Sequence, residues 1–216
     1  MKKVIFILAF SLFALTSYGQ NKVKFGVNSG LNYASLRGNA YSENLAANFS
    51  YLGGLSFEYF LKDNLSIGAN LNYENKTAKD NGYLYLMNQD GFGERVKSDA
   101  KINYSYLVLP VYVSYYFTPK KDFYVNGGLF VGYLLNSKFT SKRFNDTTDT
   151  TDKNKSMDGG LVLGFGKVFK LNEKNDLKLE LRENFGLVNT SDVEVYNDGT
   201  IKTNSINLIL NWSFNL

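Results

Sequence analysis

The sequence predicts an all-β protein: an eight-stranded antiparallel transmembrane β-barrel, preceded by a cleavable signal peptide. Three observations support this prediction. About eight runs alternate between apolar and small or polar side chains, with the period of two that is typical of strands rather than helices. The connections between runs alternate between short and long. The apolar face is bulky and rich in Tyr and Phe, while the opposite face is rich in Gly, Ser and Asn.

Residues 1–19 have the pattern of a secretory signal peptide. Lys2 and Lys3 precede an apolar run, and small residues follow at Ser17 and Gly19, the −3 and −1 positions of a cleavage site. The alternative is a membrane-anchor helix, but the apolar run is too short to span a bilayer. We therefore expect a signal peptide at 1–19 and a barrel domain at 20–216. Removal of Lys2 and Lys3 would lower the net charge from +4 to +2, which excludes a nucleic-acid-binding footprint.

The strand Tyr104–Phe117 is the clearest element. Its odd-numbered positions from Leu107 to Phe117 are uniformly apolar, whereas its even-numbered positions include hydroxyl groups and Pro110. Pro110 and the many aromatic and β-branched residues exclude a helix. The segment has 14 residues, and a tilted strand needs roughly 9–11 to cross a bilayer. It is therefore long enough to be a membrane-spanning strand.

The other seven strands follow the same alternation, which is cleanest between Leu65 and Asn75. Short turns separate some of them and long polar loops separate the others. This asymmetry predicts an outer-membrane barrel with periplasmic termini and turns and extracellular loops. It is not expected of a soluble sandwich, and a soluble lipocalin-like barrel would turn its apolar face inward. Strands are predicted at 23–33, 51–61, 65–75, 123–136, 160–171, 177–188 and 205–214, turns at 62–64, 118–122 and 172–176, and loops at 34–50, 76–101, 137–157 and 189–204.

Charged residues also occur on the face predicted to line the lumen. An eight-stranded barrel is just wide enough for its side chains to fill, so these charges are expected to pair in one connected network. Arg182 is the expected hub, because its planar guanidinium can bind two carboxylates. The alternative is an ion path or a ligand pocket. The predicted lumen network comprises Lys24, Glu58, Glu74, Lys178, Glu180 and Arg182.

Two charges, Lys167 and Glu183, interrupt the predicted lipid-facing side. A lipid-facing charge destabilises a barrel by about 2–4 kcal/mol at the bilayer centre for Lys, and by less for Glu. Either these residues lie near the membrane interfaces, or β-bulges exchange the two faces locally. The sequence leaves both explanations open.

Two of the long loops contain distinctive residues. Asp146, Asp149 and Asp152 are spaced three apart in the 144–155 loop, and several carboxylates suit calcium, but the spacing fits no EF-hand and favours a solvated loop. The Asp-Thr-Thr repeats there also resemble the Asp-Thr-x acceptor of a bacterial O-glycosylation. In the 76–101 loop, the apolar run 83–87 predicts either an extension of the strand hairpin beyond the membrane or a contact with a partner.

Catalytic chemistry is poorly represented. The chain has no His and no Cys, which removes the usual base and nucleophile of small outer-membrane hydrolases. We expect a protein that is not an enzyme, with no catalytic residues, cofactor or metal site. A hydrolase ranks third among the possible functions, because no catalytic dyad is found.

Four segments, taken in order, resemble the PorT-like outer-membrane β-barrel family of Bacteroidota: FGVNSGLNYASL at 25–36, YSYLVLPVYVSYYF at 104–117, DGGLVLGFGKVF at 158–169 and LRENFGLVN at 181–189. The resemblance extends over the mature chain. Glu183 departs from it, since the family often has an aromatic residue there. So does the chain end Asn215-Leu216, which follows Phe214 where assembly signals usually end on an aromatic residue.

The resemblance implies a non-enzymatic barrel with a structural or surface-interaction role, for example as an accessory to protein secretion or envelope assembly. The alternative is a narrow channel or small-ligand carrier. Expected partners are outer-membrane lipid and lipopolysaccharide, the barrel-assembly machinery during biogenesis, and an envelope or secretion complex, with no nucleic acid.

Overall fold

The computed structural model describes residues 22–87, 93–195 and 199–215. The predicted signal peptide, 1–19, lies outside this part of the chain. In the described residues, no helix is long and apolar enough to cross a bilayer. The elements are β1 (Val23–Arg37), α1 (Ala40–Asn44), β2 (Leu45–Lys62), β3 (Leu65–Asp80), β4 (Tyr83–Met87), β5 (Gly93–Lys97), β6 (Lys101–Tyr116), β7 (Phe123–Ser141), β8 (Asp146–Asp149), β9 (Met157–Lys170), β10 (Asn175–Gly186) and β11 (Lys202–Asn215).

The eight long strands close into one barrel. Their order is β6-β3-β2-β1-β11-β10-β9-β7, and β6 also pairs with β7, which completes the ring. Every pairing between them is antiparallel. The first and last strands meet along a continuous register from Lys24↔Asn215 to Arg37↔Lys202. The predicted closed eight-stranded antiparallel barrel is confirmed.

The alternation along each strand sorts the side chains into an outer and an inner face. On β6 the odd-numbered residues from Leu107 to Tyr115 are exposed, and the even-numbered residues from Tyr104 to Tyr116 are buried. The same holds on β11, where Leu208 and Leu210 point outward and Asn207 is fully buried. The barrel is thus apolar outside and polar within, which is the arrangement that a lipid environment requires.

One end of the barrel has the short turns 63–64, 117–122 and 171–174, and we call it the turn end. The other end, the loop end, carries α1, β4, β5 and β8. The strands extend further toward the loop end than predicted: β3 continues to Asp80 and β7 to Ser141. The hairpin β4–β5 is a separate two-stranded sheet beyond the end of β3. The hairpin extension is therefore present, although it is not continuous with the barrel sheet.

Pro110 lies inside β6, where a proline would be unexpected in a central strand. β6 pairs with β3 on both sides of it, at Ala69↔Val111 and at Asn72↔Val108, in the same register, but the pairing is interrupted between these two positions. Proline has no N–H to donate, so the interruption is the direct consequence of its chemistry. On the other side of β6, Pro110 remains in register with Phe130 of β7.

Candidate functional site in the barrel interior

The inner face of β10 forms the spine of the lumen. Its inward positions are Asp176, Lys178, Glu180, Arg182 and Asn184, and all five are buried. The charges alternate along the strand from the turn end toward the loop end. Each of the five side chains bonds to another inward-facing polar group, so that β10 organises a series of polar layers across the barrel.

The layers nearest the turn end are ion pairs. Lys24 pairs with Asp176, and Lys178 pairs with Glu58. The Glu58 carboxylate also accepts hydrogen bonds from the hydroxyls of Ser66 and Tyr116, both at 2.6 Å. Glu58 therefore has its lone pairs satisfied, as a buried carboxylate requires.

The central layer surrounds Arg182, which is 1% exposed. Its Nε donates to Glu180 Oε1 at 2.6 Å, and its guanidinium lies 4.6 Å from the centre of the Tyr112 ring. Glu180 also accepts from the Tyr124 hydroxyl at 2.8 Å and from Asn126 Nδ2 at 3.0 Å. The buried Glu180 carboxylate therefore accepts hydrogen bonds from three side chains: Arg182, Tyr124 and Asn126.

Two layers lie closer to the loop end. Asn184 Nδ2 donates to both Glu74 oxygens, at 3.3 and 3.4 Å. Lys76 Nζ lies 3.0 Å from Asp158 Oδ2 and 2.9 Å from Thr203 Oγ1. Lys76 also lies over two aromatic rings, with its Nζ about 5 Å from their centres; these rings belong to Tyr106 and Phe130.

All six residues predicted to line the lumen point inward, but they do not form one directly hydrogen-bonded network. Lys24, the Glu58–Lys178 pair, the Glu180–Arg182 pair and Glu74 belong to separate layers. The prediction that Arg182 bridges two carboxylates is wrong, since Glu180 is the one carboxylate that it pairs with in the described residues. Glu180 is close enough to bond because it lies two residues away on the same strand, whereas Glu74 accepts its hydrogen bonds from Asn184.

Sequence reasoning missed three buried ionic residues: Lys76, Asp158 and Asp176. Each was placed in a predicted turn or loop, or just beyond a predicted strand end. Each has inward parity once the strands reach their observed ends. Lys76 lies two positions after Glu74, and Asp176 lies two positions before Lys178.

Within the described residues, the layers leave little open space beside Arg182. The space beside the central layer, lined by Arg182, Glu180, Tyr112 and Tyr124, is about 20 Å³. A water molecule needs roughly 10–15 Å³ by this measure, so this space has room for about one water molecule.

Within the described chain, no three His, Cys, Asp or Glu side chains cluster as metal ligands would.

A larger cavity, about 410 Å³, lies at the loop end. Its inner wall includes Ile102, Tyr104 and Phe139, and its rim includes Thr148 and Lys153. Backbone hydrogen bonds fix the rim, because the 151–155 segment is tied to the 190–192 segment by N–H···O bonds of 2.8 and 3.0 Å. The volume falls within the usual range of small-ligand sites.

The 144–155 loop is ordered by β8 and a 3-10 turn at Thr151–Lys153. Asp149 Oδ1 accepts a 2.8 Å hydrogen bond from the backbone N–H of Thr151. The hydrogen bonds from Thr151 hold the pKa of the Asp149 carboxyl below its usual value. The Asp149 side chain therefore bonds to the first N–H of the turn, and the loop aspartates form no shared ligand set in the described residues.

Lys167 and Glu183 remain on the outward face. The β9–β10 register is continuous from Asp176↔Lys170 to Gly186↔Gly160, so no bulge exchanges the faces there. Lys167 lies near the turn end, with its Nζ 4.8 Å from the centre of the Phe123 ring. Glu183 lies between two apolar cross-strand neighbours, Leu163 and Ile206.

The sequence from 17 to 192 matches a family profile described as "Outer membrane protein beta-barrel domain". The chain belongs to this family. It is therefore an outer-membrane β-barrel protein. This confirms the predicted class of protein, while membership of the PorT-like family in particular stays a prediction. A comparison with curated protein sequences finds no significant match.

Several solved outer-membrane proteins have similar structures. Neisserial surface protein A is 13% identical with a TM-score of 0.48, covering 89% of this chain and 97% of its own. Ail of Yersinia pestis, solved with the heparin analogue sucrose octasulfate, is 10% identical with a TM-score of 0.45, covering 89% and 99%. The protease OmpT of Escherichia coli is 12% identical with a TM-score of 0.41, covering 93% and 98%. At these values the likeness carries no inference about function.

Proposed function

We propose that this protein is a non-enzymatic, non-conducting outer-membrane barrel with a structural or surface-interaction role, acting as an accessory to secretion or envelope assembly. In this proposal its termini and turn end face the periplasm, and its loop end faces the medium. The asymmetry of the connections supports this orientation. The PorT-like resemblance supports the accessory role.

The observation that carries the proposal is the filled lumen. Arg182, Glu74 and Lys76 are each 1% exposed, and they lie in successive layers between the two ends. Ion movement through the barrel would require breaking buried hydrogen-bonded charges, and leaving one buried charge unpaired costs several kcal/mol. The binding surfaces are then expected at the two ends.

The β4–β5 hairpin is one such surface. Tyr83, Tyr85 and Met87 occupy alternate positions on one face, and their exposed fractions are 53%, 71% and 81%. Arg95 lies 3.9 Å from the centre of the Tyr83 ring. Exposed aromatic residues beside arginine are typical of the residues that anchor protein interfaces.

Planar-bilayer recordings test whether the barrel conducts. We expect purified protein to give no sustained current in a bilayer where a general-diffusion porin conducts. Reproducible ion-selective steps would contradict the proposal.

Photo-crosslinking in intact cells tests the hairpin as a binding surface, with a crosslinker at position 85 and a control at position 144 on another loop. We expect a partner to be captured from position 85 alone. Equal capture from both positions would contradict a specific surface.

The second candidate is a small-ligand carrier, and the 410 Å³ loop-end cavity favours it. Liposome swelling distinguishes the two. Liposomes containing the protein are expected to swell no faster than empty ones in isotonic solutes of increasing size. Faster swelling with the smaller solutes would support the carrier and overturn the first proposal.

A further inference from the structure

A second cavity, about 520 Å³, opens at the turn end, and we call it the turn-end cup. Its floor is apolar and includes Phe60, Tyr116 and Val168. These side chains pack with Tyr124 into a small cluster, with the Phe60 and Tyr116 rings 5.5 Å apart. Above the floor, the Tyr116 hydroxyl bonds to Glu58 of the next polar layer.

The walls of the cup are strongly basic. Five lysines line it, against only two aspartates, Asp63 and Asp176. Both aspartates are already paired, Asp176 with Lys24 and Asp63 with Lys121 at 3.1 Å. Three lysines therefore contribute positive charge without an ion pair in the described residues: Lys22, Lys62 and Lys170.

The position of the cup restricts what it can bind. Lys24, Phe60 and Val168 occupy inward positions on β1, β2 and β9, so the cup opens along the barrel axis rather than toward the surrounding lipid. A lipid headgroup in the annulus would meet the outer face instead. A small inorganic anion would leave the apolar floor unused, whereas a ligand with both negative charge and an apolar group would satisfy both parts.

We propose that the turn-end cup binds an acidic peptide segment whose apolar side chain rests on the floor formed by Phe60, Tyr116 and Val168. The three unpaired lysines attract the carboxylates, and the apolar anchor fixes the position. The proposal rests on the proposed function in one respect: the proposed orientation places the cup, and therefore the protein that carries the peptide, in the periplasm. Binding itself is independent of whether the lumen conducts.

Fluorescence polarisation tests the proposal on the full-length mature protein in zwitterionic detergent. The probe is a fluorescein-labelled Glu-Glu-Phe-Glu-Glu peptide, with Lys-Lys-Phe-Lys-Lys as the reversed-charge control. We expect saturable binding of the acidic probe alone, weakening as sodium chloride is raised, because exposed charges are screened over about 10 Å at 0.1 M salt.

The matched variants separate local from overall charge. One triple variant removes the unpaired lysines of the cup: Lys22→Gln/Lys62→Gln/Lys170→Gln. It is expected to weaken binding about tenfold or more. The control makes the same charge change at exposed loop-end positions, Lys97→Gln/Lys142→Gln/Lys155→Gln, and is expected to weaken binding less than about twofold. Equal effects of the two variants would overturn the proposal. So would binding of Glu-Glu-Gly-Glu-Glu as tight as that of the Phe peptide, or failure of the acidic probe to bind. Heat-modifiable gel migration verifies that each variant is folded.

Discussion

Arg182 and Glu180 are a buried ion pair on one strand, and removing only one partner leaves the other charged without compensation. We expect Arg182→Leu to lower the free energy of unfolding by about 3–5 kcal/mol, measured by urea titration in lipid vesicles. Replacing both residues by leucine is expected to be less damaging than the single change, because no charge is stranded. The exposed pair Lys121–Asp63 is the control, where Lys121→Leu should change stability by about 1 kcal/mol or less.

The opposite substitution tests the outer face. Leu163 is 67% exposed on β9, and it faces lipid in the membrane. Leu163→Arg is expected to destabilise the barrel by about 2–4 kcal/mol if the residue lies near the bilayer midplane. If Leu163→Arg is tolerated and Arg182→Leu is as stable as the parent protein, the assignment of the two faces is wrong.

At the element scale, inward glycines on β9 make room for large side chains from neighbouring strands. A Cβ atom at Gly166 would collide with the Tyr124 ring, whereas a Cβ at the outward Gly127 would come no closer than 3.8 Å to Val162 O. Gly166→Ala should therefore destabilise the barrel by about 1–3 kcal/mol, and Gly127→Ala should leave it nearly unchanged. Urea unfolding of both variants in the same vesicles is the measurement, and equal midpoints would contradict the packing described.

The strands were predictable from sequence where apolar residues alternate, and less so where they do not. β3 was expected to end at Asn75, because Lys76, Thr77 and Lys79 provide no apolar alternation, yet it continues to Asp80 by pairing with both β2 and β6. Hydrogen bonding to neighbouring strands, rather than local preference, sets these ends. The layered pairing in the lumen was unpredictable for a related reason, since it depends on register across the barrel.

At the scale of the whole molecule, the absence of native cysteine allows a clean test of orientation. Tyr85→Cys on the loop-end hairpin is expected to react with a membrane-impermeant maleimide on intact cells. Lys121→Cys, on the 117–122 turn, should react only after the outer membrane is permeabilised. Both positions are exposed, so accessibility within the protein is matched. Labelling in the reverse order would invert the proposed topology.

The pairing of β1 with β11 means that the order of the strands along the chain can be changed without changing the barrel. Lys24 and Asn215 are neighbours in register at the turn end, and Asn215 N–H also bonds to Lys174 O at 2.8 Å. The start of β1 and the end of β11 therefore meet at the same end of the barrel as the three short turns. A circular permutant that joins the two ends by a short linker and opens the chain between Asp63 and Asn64 should fold to the same barrel, because every strand keeps both neighbours.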